Sequence, residues 1–195
     1  IPVTTNPPSV SGVKTIPGDY SSITEALSAI RCQMLSGPLV LELGNGYNAA
    51  NETYPIVFDS ELHTDATKTI TIRPAANVIS PVSITSNKRN GTIILNNASH
   101  ITFDGRAGGV GTSKMLNLVS TNDTATIVRF INGATYSHIG YCRLSGTVQK
   151  PISNVVNALI YFDTTNTMQG NSYNNISNCV IGDSLNMASY LLYSK

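Results

Sequence analysis

The chain is 195 residues long with a net charge of +1; 41% of its residues are hydrophobic and only 12% are charged, against roughly 25% charged in ordinary soluble domains. With no basic run it lacks the electrostatic footprint of a nucleic-acid binder, and without about 18 consecutive apolar residues it has no membrane-spanning helix. The polar surface is left to Asn, Ser and Thr, which can ladder at spacings of about 4.8 Å where a repeated like charge would repel itself.

The whole length, 1–195, reads as one domain with one sizeable core. Residues 1–12 are an extended lead-in, because Pro2, Pro7 and Pro8 exclude helix. The opening IPVTTNPPSV has neither Met nor an apolar leader, so a mature secreted chain or an excised fragment is expected.

Residues 13–48 carry a helix and a first strand. Ser22 and Glu25 form a capping box, in which the hydroxyl accepts from the Glu25 N–H and the carboxylate reaches back. Ile23, Ala26, Leu27, Ile30 and Met34 then recur at helical spacing, one apolar stripe on about three turns. Gly37 and Pro38 end the helix, Leu39 to Leu43 is a short apolar strand, and Gly44-Asn45-Gly46 turns it. Such an amphipathic helix suits a lid over the open end of a stack of strands. Cys32 lies in this helix with no His near it in sequence.

The order GDYSSITEALSAI, GPLVLELGNGYN, KTITIRPA, over about residues 13 to 74, resembles the entry into the pectin lyase-like family of right-handed β-helices. The resemblance implies a right-handed coil. It also implies where chemistry would sit: paired Asp with an Arg for ester hydrolysis, several Asp for glycoside hydrolysis, or acidic calcium ligands with a basic residue for elimination. The family's paired-Asp and Gly-His-Gly signatures do not occur here.

From residue 49 to 195 the chain repeats. Asn48 to Thr67 is a polar excursion with a strand at Tyr54 to Phe58. KTITIR (68–73) and Val82 to Thr85 are strands, and Asn87 to Gly91 is a turn. Ile127 and Leu159 stand 32 residues apart, as do Leu159 and Leu191, so the final SYLLYSK opens another, incomplete copy. Ile101, Ile139 and Ile176 are separated by 38 and 37 residues, which aligns His100 with His138 and puts Cys142 and Cys179 in the place that Asp104 holds in the first copy, so that no carboxylate column is expected. Recurrence at 20 to 50 residues with short alternating strands and long connections specifies parallel pairing and a solenoid. The fold class expected is therefore all-β, a parallel β-helix with an N-terminal amphipathic capping helix, right-handed as the resemblance implies.

Cys142 and Cys179 are expected as two inward thiols on neighbouring rungs, a disulfide between them being geometrically demanding. His100 and His138 match in position; a metal held between them lacks a third ligand, so a stack at a corner is expected instead, and His63 is isolated. No zinc spacing occurs. Calcium is conceivable at Asp104, Asp123, Asp163 or Asp183, although none shows the dense acidic spacing of a calcium loop. Arg129 and Arg143 read as solvated. Asn51, Asn90, Asn97, Asn122 and Asn175 open N-x-Ser/Thr triplets, which turn chemistry accounts for.

Asp104 and Arg106 in ITFDGR are the nearest approach to a catalytic pair, weighed against a turn in which Asp104 accepts local N–H groups. The function expected is a non-catalytic secreted or cell-surface scaffold for adhesion or polysaccharide binding, without cofactor or metal, part of a longer protein. A carbohydrate-active enzyme (polysaccharide lyase, glycoside hydrolase or pectin esterase) on acidic polysaccharide is the alternative. Partners expected are a polysaccharide or surface glycan and, through the unfinished last rung, a second copy of the chain.

Overall fold

The computed structural model describes residues 9–147, 158–165, 168, 170–182 and 188–195. The first strand, β1 (Ser9–Ile16), is followed by one helix, α1 (Ile23–Cys32), and by β2 (Met34–Leu43). The chain then runs through β3 (Ile56–Asp59), β4 (Ile70–Pro74), β5 (Val82–Ser86), β6 (Ile93–Asn96), β7 (Ile101–Asp104), β8 (Leu116–Ser120) and β9 (Val128–Ile131). Six shorter strands complete it: β10 (His138–Gly140), β11 (Cys142–Gly146), β12 (Ile160–Phe162), β13 (Asn175–Ser177), β14 (Val180–Ile181) and β15 (Leu192–Ser194).

These strands form three sheets, ordered β1-β2-β4-β7-β10-β13, β5-β8-β11-β14 and β3-β6-β9-β12-β15. All of their pairings are parallel. From β3 onward the chain visits the five-, six- and four-stranded sheets in rotation, so each strand is paired with the one three places along. The 32-residue spacing is the register of the five-stranded sheet: Val128 faces Ile160, and Ile160 faces Leu192.

Alternation decides which side chains enter the core. In β3, β4, β5 and β8 every second residue is buried. The largest buried side chains stack or cross between circuits: Phe58 meets Phe103 edge-on with centroids 5.6 Å apart, and Phe130 stacks on Phe162 at 4.4 Å. Left-handed corners turn the chain between sheets, with Asn97, His100, Asn132, Tyr136, Tyr173 and Asn178 all at φ between 52° and 59°.

α1 buries Ile23, Ala26, Leu27 and Ile30. Its start matches the capping box, since Ser22 Oγ accepts from Glu25 N at 3.0 Å, although the Glu25 carboxylate takes the Ser21 N–H at 2.7 Å. A second cap comes from far along the chain. The buried Glu52 carboxylate accepts from Ile23 N (2.7 Å), Thr24 N (2.9 Å), Thr24 Oγ1 (2.6 Å) and Tyr47 OH (3.1 Å). Burial first, and then the charge of Glu52, push the Tyr47 phenol far above its ordinary value.

Three expectations need correction. The helix ends at Cys32, because Gln33 is already extended; Met34, assigned to the helical stripe, is 50% exposed and opens β2. Gly37 and Pro38 therefore lie inside β2, where the register against β1 jumps from Val10–Leu35 to Gly12–Leu39 and so spares Pro38 a ladder bond it cannot donate. The strand expected at Tyr54 begins at Ile56.

Candidate functional site

The register of the six-stranded sheet builds an outward cluster that the 38-residue match misplaces. His138 faces Thr102, Ile139 faces Phe103 and Gly140 faces Asp104. On the other side Gly140 faces Ser177. Asp104 is thus followed in its column by Gly140 and Ser177, while Cys142 belongs to the four-stranded sheet, opposite Leu116. His100 shares its place with Tyr136 and Tyr173: the Tyr136 ring stacks on His100 at 5.2 Å and the Tyr173 ring on Tyr136 at 4.8 Å. The two histidines expected to stack do not meet in that column.

Asp104 is 8% exposed, and the groups that hold it are local. Its carboxylate accepts from Arg106 N at 3.0 Å, Nε at 2.9 Å and Nη2 at 2.8 Å. The guanidinium lies 4.8 Å over the Tyr141 ring. Burial works against ionisation of Asp104, but the hydrogen bonds and charge of Arg106 outweigh it and hold the carboxyl below its usual range. The turn weighed against a catalytic pair is present, and the Arg106 that supplies its N–H also forms an ion pair with the same carboxylate.

The imidazole of His138 lies over the bare backbone of Gly140, where a Cβ would come within 2.7 Å of Cε1 and 2.9 Å of Nε2. Glycine is therefore what lets the ring occupy the gap between Asp104 and Ser177. Nε2 stands 2.9 Å from Ser177 Oγ. Burial lowers the His138 pKa, Asp104 opposes this and Arg106 adds to it, with a net downward shift that leaves the ring neutral near pH 7. A hydroxyl, a neutral imidazole and a carboxylate thus follow one another across β13, β10 and β7.

A second polar cluster lies on the outer face of the five-stranded sheet. Arg129, Tyr161 and Tyr193 are in register there. Arg129 forms an ion pair with Asp163, with its Nε 3.1 Å from Oδ2, and lies 5.8 Å over the Tyr161 ring. It is not the solvated cation expected; only Arg143 of that pair is exposed. Tyr161 stacks on Tyr193 at 5.6 Å, and Tyr190 meets Tyr193 edge-on at 6.0 Å. Beside them lies a cleft of about 290 Å³ lined by Phe162, Asp163, Thr164, Asn171, Ser194 and Lys195, among others.

The remaining candidates are dispersed. Among the described residues no three His, Cys, Asp or Glu side chains come together to hold a metal; Asp123 is exposed, and Asp183 lies outside the described residues. His63 is a left-handed cap on the short turn at 60–62. Cys142 is buried, Cys179 is half-buried, and both are free thiols. Their Sγ atoms donate to Gly140 O and Ser177 O at 3.3 Å each. Asn122 accepts from Thr124 N and Oγ1, the turn chemistry expected of its triplet.

Comparison with family models, with curated proteins and with solved structures returns no match.

Proposed function

We propose that the three sheets wind as a right-handed parallel β-helix of the pectin lyase-like kind, with α1 as its cap, and that this coil is a rigid secreted or cell-surface scaffold that binds polysaccharide. The rotation of consecutive strands among three parallel sheets supports the coil. The observation that carries the binding reading is the aligned Arg129, Tyr161 and Tyr193 face beside its polar cleft. Tyrosine offers a broad apolar ring with a hydroxyl at its edge, and the neighbouring Asp163, Thr164 and Asn171 supply directional polar groups, the combination a sugar chain requires.

Carboxylate-based hydrolysis or elimination has less support. Asp104 and Asp163 are each engaged by an arginine, which favours the charged, hydrogen-bonded form over a free acid or base. Affinity electrophoresis through a panel of neutral and acidic polysaccharides tests the binding reading. The native chain is expected to be retarded by at least one of them, and Tyr161→Ala with Tyr193→Ala is expected to abolish the retardation. Free migration through every gel, or equal retardation of the double variant, overturns it.

A further inference from the structure

We propose that Ser177 and His138 form a nucleophile and general-base pair that hydrolyses carboxylic esters, with O-acylated sugars as the substrate class. The sugar part of this inference rests on the polysaccharide reading; the reacting pair does not.

The geometry meets the first requirement of such a pair. Ser177 Oγ and His138 Nε2 are 2.9 Å apart, inside the roughly 2.6–3.2 Å reach of proton transfer. The ring is placed and not merely present: Gly140 leaves the space it fills, and Asp104 occupies the column on the side away from Ser177. Both side chains are half-buried on the outward face, partly desolvated yet reachable.

Ladder formation alone does not call for this chemistry. Several other outward ladders are built from amides and hydroxyls alone: Asn117 donates to Ser83, Asn132 to Asn96, and Asn174 accepts from the Ser137 N–H. Among the described residues it is in the column of Gly140 that an imidazole lies with a hydroxyl on one side and a buried carboxylate on the other. Because Asp104 is hydrogen-bonded to Arg106, it acts on the ring through its charge and is a positioning residue.

The reaction balances without a cofactor. With Nδ1 protonated, Nε2 accepts the Ser177 proton as Oγ bonds to the ester carbonyl carbon. Collapse of the tetrahedral intermediate breaks the bond to the sugar oxygen, which takes the proton from Nε2 and leaves an acyl-Ser177. Water then attacks the acyl carbon, giving a proton to Nε2, and the released Oγ recovers it. One ester and one water become one acid and one alcohol. General-base assistance contributes about 10²- to 10⁴-fold.

The test uses the intact chain. A fluorophosphonate probe is added, and the modified peptide is mapped by mass; acetate release from acetylated xylan and from p-nitrophenyl acetate is followed in parallel. Labelling at Ser177 is expected, with acetate release reduced at least 100-fold in Ser177→Ala and in His138→Gln. The charged groups that act on His138 are Asp104 and Arg106; in register it faces Thr102 of β7 and Asn175 of β13, with Ser177 at Nε2. Rate should therefore rise as His138 loses its proton, below the ordinary imidazole range, and Asp104→Asn should move that inflection lower still, which a purely structural Asp104 would not do. No labelling of native Ser177, or equal acetate release by native and Ser177→Ala chains, overturns the proposal. The labelling arm needs no variant, so a misfolded substitution cannot obscure it. Retardation by polysaccharide that persists in an unlabelled chain would separate this failure from failure of the binding reading.

Discussion

The five-stranded sheet repeats one inward position five times, and its two ends behave differently. Ile56, Ile93, Val128 and Ile160 are at most 1% exposed, whereas Leu192, in the same register, is 52% exposed. Local sequence does not explain this, because all five are branched aliphatic residues. The first four are covered by neighbouring circuits, and Leu192 has a described neighbour on the β12 side alone. Burial in this architecture belongs to the stack and not to the strand.

The phenylalanine pair is the most forceful way to break that comparison. Phe130 is 1% exposed and Phe162, stacked on it, is only partly buried. Phe130→Ala should cost about 3–5 kcal/mol, the usual loss for a core aromatic, while Phe162→Ala should cost about 1–2 kcal/mol because less area leaves the core. Urea unfolding of both variants measures the difference. Equal losses would mean that the later circuits are packed as tightly as the earlier ones.

Far from that end in the sequence, α1 packs its buried face into the same core cluster, and its start is held by polar contacts. Replacing Glu52 with Gln removes the charge that receives the Ile23 and Thr24 N–H groups and sets an amide NH₂ among donors. A loss of about 1.5–3 kcal/mol is expected, the range for hydrogen bonds to a charged group. Ser22→Ala, which removes only the local cap, should cost about 1 kcal/mol. Denaturant midpoints rank the two, and a larger effect at Ser22 would show that α1 is secured locally and not by the excursion at 48–67.

What was legible follows from how far each signal travels along the chain. The stripe of α1 and its capping residue lie within one segment, and the 32-residue spacing survives because β9, β12 and β15 are separated by equal lengths. The 38-residue match failed by two places. Ile101 N reaches Ser137 Oγ, and the strand residue facing Ile139 is Phe103. Matching apolar residues by identity cannot detect such a slip when Ile and Phe alternate on the same inward face. Glu52 and Asp163 were beyond reach for a different reason: they contact residues 29 and 34 positions away, across circuits. Ser177 carried no motif around it; the bare Gly140 beside His138 is the one local sign that the ring leans along its strand.

The two half-repeats that carry Cys142 and Cys179 sharpen the contrast with the least disturbance to the fold. The interaction between the neighbouring thiols acts in opposite directions on them: together with burial it raises Cys142 well above the ordinary thiol range, and it brings Cys179 down to about 7. Cys179 is therefore the thiol that more readily reaches the thiolate, the form that reacts, and Lys114 adds to its stabilisation. Alkylation of native chain by iodoacetamide, mapped by mass, should modify Cys179 at a rate that rises from about pH 6 and levels near pH 8. Cys142 should stay unmodified until the chain unfolds, since it is fully buried. Cys32 is exposed and free, so its labelling under the same conditions is the reference for unhindered access. Equal protection of Cys142 and Cys179 would place both in the closed part of the stack, and a Cys179 rate still climbing above pH 9 would show that its neighbour does not stabilise the thiolate.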